Sequence, residues 1–528
     1  MSGSYQLDGD AKGTFLGHPK GLYVLFFAEM WERFSYYGMR ALLIFYLTKH
    51  WLFSDEKSGV IYGAYTALVY ITPVLGGYLA DRWLGQRKAV AYGAVLLTFG
   101  HFLMGFEGTG GGDSATLNIF WLALAFIIVG SGFLKANISV IVGQLYPRTD
   151  VRRDGAYTIF YVGINLGAAL GSLACGYLGE VYGWSYGFGA AGVGMLLGLI
   201  VFVAFKPLLL GRGEPNNPDS LRSSFMGIRF EWVLYLAGLA AVAIVWWLVQ
   251  NQAVVGSLLG VAGGILVIYV LFTAVVKLAP QDRDRIFAAL FLIFGSILFW
   301  ALFEQAGSSL NLFTDRHVDR GGVPASVFQS INAIYIVLLG PVFAGLWTWL
   351  GRRNLEPSAP AKFGLGLMQL GAGFLVLVAG GAGAGDALVP VLFIFLIYLL
   401  HTTGELCLSP VGLSAMNRLA PAHMASLIMG TWFFASATGN FAAGLIAAAT
   451  GSEAASGEGA GRETVLAVYS QIGWVAVAVG VGVVVISPLI KKLMHLDTLA
   501  DAHPEDALSG QGEVGEPQAA GVHPAPRS

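Results

Sequence analysis

Residues 26–40 read FFAEMWERFSYYGMR and lie within the apolar run 22–48, which is longer than the roughly 20 residues that a membrane-spanning helix needs. The stretch nevertheless carries four ionisable side chains, Glu29, Glu32, Arg33 and Arg40. An ionisable group at the bilayer centre costs about 2.5–3.5 kcal/mol even on the lenient insertion scale, so it normally faces a partner or a polar cavity. The stretch therefore predicts a membrane helix whose polar face points into a bundle of other helices.

The composition of the whole chain fits a membrane protein. Of its 528 residues, 56% are hydrophobic and 12% are charged, whereas an ordinary soluble domain is about 25% charged. The net charge of −2 and the lack of a Lys/Arg-rich tract argue against nucleic acid as a partner. The sequence predicts an all-α polytopic membrane protein embedded in the lipid bilayer.

Apolar runs of spanning length recur along the chain, separated by polar or Gly/Pro-rich breaks. They predict fourteen transmembrane helices, near 22–48, 59–80, 88–106, 117–144, 156–178, 186–206, 230–250, 254–277, 286–312, 326–350, 362–382, 388–412, 423–449 and 465–490. The first run is longer than a signal-peptide core and has no small-residue cleavage pattern, so we expect it in the mature protein.

The distribution of positive charge predicts that both termini are cytoplasmic. This orientation puts the Lys/Arg-rich breaks 81–88, 147–153 and 351–353 inside. It leaves five basic residues outside, Lys49, Lys57, Arg316, Arg320 and Arg462. Such an asymmetry is what the positive-inside rule requires.

An internal repeat predicts the domain organisation. PVLGGYLADRWLGQR (73–87) is similar to PVFAGLWTWLGRR (341–353), and WERFS (31–35) to FEQAG (303–307). Many transporters are built from duplicated halves, although chance similarity between Gly/Pro/Leu-rich helices is the alternative. The predicted regions are a cytoplasmic tail (1–21), a six-helix bundle (22–206), a solvated linker with an inserted transmembrane hairpin (207–285), a second six-helix bundle (286–494) and a disordered cytoplasmic tail (495–528).

Helical spacing groups the charges of the first helix. Glu29, Glu32 and Arg33 stand at i, i+3 and i+4 and therefore share one face. We call these three residues the first-helix cluster. The later runs add three further intramembrane ionisable residues, Lys135, Glu304 and Glu405.

Counting about 1.5 Å per residue from each helix start gives their depths. Arg40 and Glu304 fall near the outer side, whereas Lys135 and Glu405 fall in the inner half, close to the first-helix cluster. Each side thus has charges from both halves, as alternating access requires when one mouth closes while the other opens. The alternative is a set of static ion pairs that hold the bundle together.

The buried carboxylates outnumber the buried cations by one, four against three. Burial and like charge favour protonation of an excess carboxylate. We therefore expect the first-helix cluster to bind a proton.

Several motifs resemble one known family. ExxERFxYYG (29–38) resembles the first-helix signature of the proton-dependent oligopeptide transporters, a family of the major facilitator superfamily. GGYLADRWLGQRK (76–88) is similar to the superfamily's loop motif. Three more segments resemble family signatures, namely FYVGINLG (160–167), FWALFEQ (299–305) and GELCLSPVG (404–412). The hairpin 230–277 resembles the two extra helices of bacterial members.

The resemblance implies a major facilitator fold and a role for each motif residue. Glu29, Glu32, Arg33, Lys135 and Glu304 are implied in proton coupling. Gating salt bridges are implied for Arg40, Glu304, Lys135 and Glu405, with Arg40 and Glu304 latching the outer mouth. Lys135 is also implied as the salt-bridge partner of the first-helix cluster. Substrate binding is implied for Arg40, Tyr36, Tyr37, Tyr70, Lys135, Asn165, Trp300, Asn332, Glu405, Trp432 and Ser436.

One departure concerns histidine. Some relatives, notably animal ones, use a histidine in the second helix, and residues 59–80 contain none, so coupling here is expected to rest on carboxylates. His101 is expected at the membrane interface. His401 lies four residues before Glu405 and is a candidate for modulating its protonation.

The chemistry of a dipeptide matches these residue types. A zwitterion needs a cation and an anion on opposite walls, amides for its backbone, and aromatic surfaces that tolerate varied side chains. The predicted function is import of di- and tripeptides with protons across the bacterial inner membrane, by a monomer without a cofactor. A transporter of another small anion or zwitterion, such as nitrate, is the alternative, and Glu405 argues against a plain anion.

Two other classes fit the sequence less well. An integral-membrane enzyme is disfavoured because the chain has no HExxH motif, no metal-ligand spacing and no large soluble domain. A channel should carry rings of pore charges and not pairs between two halves.

Overall fold

A computed structural model describes residues 13–146, 150, 152–225, 227–408, 416, 419–421, 424–451 and 461–496. The helices of the first half are α1 (Lys20–Phe45), α2 (Asp55–Leu79), α3 (Gln86–Met104), α4 (Ser114–Gln144), α5 (Arg152–Val181) and α6 (Trp184–Ala204). A short α7 (Pro218–Arg222) leads to the hairpin α8 (Phe230–Gln250) and α9 (Gln252–Lys277). The second half has α10 (Pro280–Phe303), the short α11 (Ser309–His317), α12 (Ser330–Arg352), α13 (Ala359–Gly383), α14 (Leu392–Leu408), α15 (Ala425–Gly451) and α16 (Arg462–Leu493).

The helices match the predicted spans one for one. Within the described residues, 11 helical segments are long and apolar enough to cross a membrane. The other three predicted spans are α1, whose charges interrupt the apolar window, α3, and the 17-residue α14. The prediction of a fourteen-helix membrane protein is confirmed, and α14 was predicted to run on to residue 412, which lies outside the described residues.

Local signals explain where several helices begin and end. Ser54 Oγ accepts the Lys57 N–H at the start of α2, and Asp113 Oδ1 accepts the Thr116 N–H at the start of α4. Gly85, at φ +77°, turns the chain from the π-helical segment Ala80–Leu84 into α3. A side chain at this position would suffer backbone strain and would meet Pro215, so glycine is required.

Buried apolar side chains form two large clusters, and each cluster is the core of one bundle. Almost all of the first comes from residues 22–259, and the second comes from residues 270–494. In the first bundle α1 packs on α5 and α6, and α3 on α4; in the second, α13 packs on α14 and α16. The bundles meet mainly where α2 packs on α15 and α5 on α12.

The helices run between two ends of the molecule, which we call the Asp55 end and the Arg87 end. The Asp55 end holds the start of α2, the α10–α12 connection and a parallel pair of two-residue strands, β5 (Val318–Asp319) and β6 (Val389–Pro390). The Arg87 end holds the α2–α3 connection. It also holds two antiparallel pairs, β1 (Thr14–Phe15) with β2 (His18–Pro19), and β3 (Ser224–Phe225) with β4 (Ile228–Arg229).

The hairpin lies at the periphery and packs on both bundles. Helix α8 contacts α4 and α2, whereas α9 contacts α2, α10 and α15. The remaining faces expose large apolar side chains, among them Trp247 on α8 and Ile268 on α9. Such surfaces suit lipid, and the sequence carries no charged residue between Glu231 and Lys277.

Most side chains of the linker 206–224 are exposed, as expected of a solvated linker, but contacts at a few positions pin it to the first bundle. Arg87 donates from Nη2 to Glu214 (2.9 Å), and the Gly213 N–H donates to Gln144 Oε1 (2.8 Å). The side chains of Leu209 and Leu221 are buried. A Gly/Pro/Asn-rich composition indicates a loop, but it does not distinguish a free loop from one that is pinned to a neighbouring surface.

Some expectations fall elsewhere. Residues 1–12 and 497–528 of the predicted tails, and Pro410 in the motif at 404–412, lie outside the described residues. His101 is fully buried, with Nδ1 2.8 Å from the Leu97 carbonyl oxygen, so its expected place at the membrane interface was wrong. The helix offered this ring a carbonyl partner in the preceding turn.

Candidate functional site

The first-helix cluster lies on the buried face of α1. Arg33 Nε is 2.7 Å from Glu29 Oε1 and 2.8 Å from Glu32 Oε2. All three side chains are nearly inaccessible to solvent. One guanidinium therefore serves two buried carboxylates, and the cluster by itself carries one excess negative charge.

Lys135 on α4 lies next to this cluster. Its Nζ is 4.7 Å from the centre of the Tyr36 ring and 4.6 Å from that of Tyr70, within the range of cation–π attraction. It also acts electrostatically on Glu32. The structure thus brings the predicted lysine, two predicted tyrosines and the first-helix cluster into one region.

Arg40 and Glu304 form a buried ion pair that joins the two halves. We call it the gate pair. Arg40 Nε also donates to the Tyr62 hydroxyl (2.6 Å), and its Cζ lies 5.6 Å from the centre of the Tyr37 ring. Tyr62 was not predicted, because an uncharged tyrosine on an apolar helix gives no signal beyond ordinary packing.

Glu304 is presented by a break in the helix. Residues Glu304–Gly307 form a 3₁₀ turn between α10 and α11. A Cβ atom on Gly307 would overlap the Tyr62 hydroxyl and lie 3.1 Å from Arg40 Nε. Glycine at 307 therefore lets the second half approach the first closely enough to form the gate pair.

The second half contributes a further carboxylate, Glu405 on α14. Asn332 Nδ2 on α12 donates to Glu405 Oε2 (3.0 Å) and to Thr402 Oγ1 (3.0 Å). His401 turns to α13, with Nε2 3.1 Å from the Leu370 carbonyl oxygen and its ring against Phe374. The two predicted residues Asn332 and Glu405 are thus hydrogen-bonded to each other. These contacts of His401 are with α13 and not with Glu405.

Asn165 lies at a small cavity between the halves. The cavity holds about 30 Å³ and is lined by Tyr37 on α1, by Asn165 and Ser172 on α5, and by Gln329 and Asn332 at the start of α12 and just before it. Asn165 Nδ2 donates to the Tyr161 carbonyl (3.1 Å) within its own helix, which leaves its amide oxygen available to a ligand.

The remaining predicted residues lie on α10 and α15. Trp300 packs edge-on against Phe299 and Phe303. Trp432 and Ser436 are buried one turn apart, and Ser436 Oγ donates to the Trp432 carbonyl (3.2 Å). These contacts explain their packing and do not by themselves indicate a ligand.

Two further ion pairs join the halves at the Asp55 end. Arg316 Nη2 donates to Asp55 Oδ1 (2.8 Å), and Lys49 Nζ is 2.7 Å from Asp315 Oδ2. Sequence reasoning treated Lys49 and Arg316 only as topology-setting charges. Their partners lie on the other half, and no local spacing indicates such pairs.

The chain is similar to proteins of one family along most of its length. A sequence model of the POT family matches residues 87–466. The chain belongs to the POT family.

Individual members of the POT family match across both halves. The chain is 38% identical over 462 residues to the peptide transporter YePEPT of Yersinia enterocolitica, covering 82% of this chain and 88% of that protein. It is 37% identical over 491 residues to the uncharacterized transporter YclF of Bacillus subtilis, covering 91% and 96%.

Solved structures of the POT family share the fold. A mutant peptide transporter in complex with alafosfalin matches with a TM-score of 0.78 and 37% identity, over 91% of this chain and 97% of that one. A POT family transporter in complex with 5-aminolevulinic acid matches with a TM-score of 0.77 and 31% identity, over 90% and 98%. The predicted major facilitator fold of two six-helix bundles with an inserted hairpin is confirmed.

Proposed function

We propose that this POT family member imports di- and tripeptides together with protons by alternating access. The observation that carries this proposal is the sharing of Arg33 by two buried carboxylates. Lys135 offsets the excess charge while it stays close to Glu32. When Lys135 turns to the carboxylate of a bound peptide, the cluster loses that charge, and binding a proton restores neutrality.

The distribution of charge over the two halves supports a zwitterionic substrate. The cations Arg40 and Lys135 belong to the first half, and the carboxylates Glu304 and Glu405 belong to the second. A peptide carboxylate would bind on the first-half wall and a peptide amine on the second-half wall, with the Asn165 and Asn332 amides meeting the peptide backbone. Tyr36, Tyr37, Tyr70, Trp300 and Trp432 would line the side-chain pockets.

Relatives support the same substrate class. One match is named a peptide transporter and another, from Yersinia enterocolitica with 30% identity over 496 residues, a dipeptide and tripeptide permease. Glu405 would repel nitrate, which makes a plain anion the second candidate and not the first.

We place the protein in the bacterial inner membrane with both termini cytoplasmic, so that the Asp55 end faces outward. In this orientation the gate pair closes the outer mouth. The proton gradient supplies the driving force without a cofactor or a catalytic step, and a monomer suffices because all of the groups belong to one chain.

Uptake of radiolabelled dialanine into proteoliposomes with an acidic exterior tests the proposal. Wild type should accumulate dialanine, and a protonophore should abolish the accumulation. Lys135→Ala and Glu32→Gln should each lower accumulation at least tenfold, because each removes one of the coupled charges. Lys277→Ala, which removes an exposed lysine at the end of α9, is the matched control and should behave like wild type.

Two results would overturn the proposal. Accumulation that survives the protonophore would exclude proton coupling. Uptake of nitrate in place of dialanine by folded wild type would reassign the substrate to the second candidate.

A further inference from the structure

Three tyrosines lie between the gate pair and the first-helix cluster. Tyr36 on α1 and Tyr62 and Tyr65 on α2 are all fully buried. Tyr36 stands four residues after Glu32 and four before Arg40, which puts it about 6 Å along the helix from each. Tyr62 is hydrogen-bonded to Arg40, and Tyr65 follows it by three residues on the same face of α2.

The hydroxyl groups at the middle of this row are unsatisfied. Within the described residues, the hydroxyls of Tyr36 and Tyr65 have no hydrogen-bond partner. Both oxygens of Glu32 accept no hydrogen bond there either, although Oε2 faces Arg33. Buried donors without acceptors and a buried acceptor without donors are costly, so their presence calls for an explanation, of which a role in function is one.

Tyr65 lies within electrostatic reach of both charge centres. Its hydroxyl interacts electrostatically with Glu32 and Arg40 on α1 and with the hydroxyls of Tyr36 and Tyr62. Tyr36 interacts with Arg40, Glu304 and Arg33. Within the described residues, Tyr36 and Tyr65 are the two buried tyrosines whose hydroxyls are unpaired, so together they supply the free hydroxyls between the gate pair and Glu32.

We propose that Tyr65 is the central group of a proton relay from Glu304 to Glu32. This inference rests on the proposed proton coupling. The Glu304 carboxylic acid releases its proton, and the Tyr65 oxygen accepts a proton on the gate side while its own hydrogen leaves toward Glu32. Water completes any step that is longer than a hydrogen bond. Glu304 ends as a carboxylate, Glu32 as a carboxylic acid, and the tyrosine as a neutral phenol.

The relay explains why residue 65 is a tyrosine, because packing alone would be satisfied by the ring of a phenylalanine. Phenylalanine has the same shape, and the Tyr65 hydroxyl makes no hydrogen bond that folding would lose. Tyr65→Phe should therefore leave the fold intact and remove only the relay step.

The test compares three transport modes of full-length protein in proteoliposomes. They are dialanine-stimulated proton entry, followed with a pH-sensitive dye, proton-driven accumulation of dialanine, and dialanine counterflow at equal pH on both sides. In Tyr65→Phe we expect the first two to fall at least fivefold while counterflow stays within twofold of wild type. Tyr92→Phe is the matched control, because its hydroxyl donates to the Tyr235 carbonyl (2.7 Å) away from the relay; all three modes should persist.

The outcomes separate the relay from the proposed function. Wild type without dialanine-stimulated proton entry would overturn both. Normal coupling in Tyr65→Phe would overturn the relay alone. An equal loss in all three modes, together with a lower Tm, would assign Tyr65 a structural role and likewise overturn the relay.

Discussion

The two ends of the molecule are held by different kinds of ion pair. At the Asp55 end, three pairs join the first half to the second, namely Arg40–Glu304, Asp55–Arg316 and Lys49–Asp315. At the Arg87 end, Arg87–Glu214 and Lys88–Glu231 tie the linker and the hairpin to the first half.

This difference identifies the state of the transporter. Contacts that join the halves must break when the mouth between them opens, whereas contacts within a half persist in every state. The Asp55 end is therefore closed in this structure, and its ion pairs are specific to that state. Changes at the Asp55 end should shift the conformational equilibrium, and changes at the Arg87 end pairs should not.

Breaking the gate pair should give the largest shift. Glu304→Gln leaves Arg40 buried without its counter-charge, and removing one partner of a buried pair costs about 3–5 kcal/mol. We expect the population closed at the Asp55 end to fall at least tenfold. Spin labels at Lys57→Cys and Val323→Cys, with the buried Cys175 and Cys407 left in place, would measure the distance between the halves.

The matched control for the gate pair is Glu463→Gln, which neutralises an exposed carboxylate at the same end. Its distance distribution should equal that of wild type. A wild-type distribution in Glu304→Gln would mean that the gate pair does not hold this mouth closed.

A steric change should act nearly as strongly without altering charge. In Gly307→Ala the new methyl would overlap the Tyr62 hydroxyl only while the halves are together. We expect the same spin labels to move apart, with the closed population reduced several-fold. Gly189→Ala is the control, because its Cβ would meet nothing within 4 Å; equal distributions in the two variants would remove Gly307 from the closing contact.

The sequence predicted the helices because apolar length and breaks are local properties of the chain. It also predicted that Arg40 and Glu304 belong together, because a buried charge in lipid needs a partner and both fall at one depth. The remaining pairs escaped prediction for a physical reason. Asp55 and Arg316 lie at helix ends, where a charge is stable in water and its partner on the other half leaves no mark in spacing.

The sequence also failed to predict the roles of two hydroxyl groups and the contacts of one loop. Tyr62 and Tyr65 look like packing residues on an apolar helix, and only the three-dimensional position of their oxygens distinguishes them. The linker 206–224 has the composition of a free loop, yet its contacts with Arg87 and Gln144 fix it. Local sequence thus predicted which residues are helical but not which surfaces they meet.

The pair Asp55–Arg316 should have a smaller effect than the gate pair. Its aspartate is only 5% exposed but its arginine is 24% exposed, and water that reaches the arginine weakens the pair toward the roughly 1 kcal/mol of surface ion pairs. We expect Asp55→Asn to reduce the closed population by no more than about fivefold, which corresponds to about 1 kcal/mol. The charge-reversed double variant Asp55→Arg with Arg316→Asp should restore it, and failure of that restoration would show that the charge pairing itself is not what matters.

The smallest effect should come from the Arg87 end. Arg87→Gln removes the hydrogen bond that lowers the pKa of Glu214. We expect hydrogen exchange of the Gly213 amide to speed up a few-fold in this variant. Its dialanine uptake should stay within twofold of wild type. Arg212→Gln, which changes an exposed arginine in the same linker, should alter neither.

The direction of the Glu214 shift also fixes the pH dependence of the linker. A lowered pKa means that the Glu214 carboxylate stays charged below the ordinary glutamate value of about 4.3. Its contribution is therefore complete at neutral pH and is lost only as the pH falls through the lowered value. Protection of the Gly213 amide, corrected for intrinsic exchange, should therefore be the same at pH 8 and pH 6. Two results would mean that the Arg87 end also takes part in the conformational change: a loss of Gly213 protection between pH 8 and pH 6, or a shift of the spin-label distances in Arg87→Gln. The contrast between the two ends would then no longer hold.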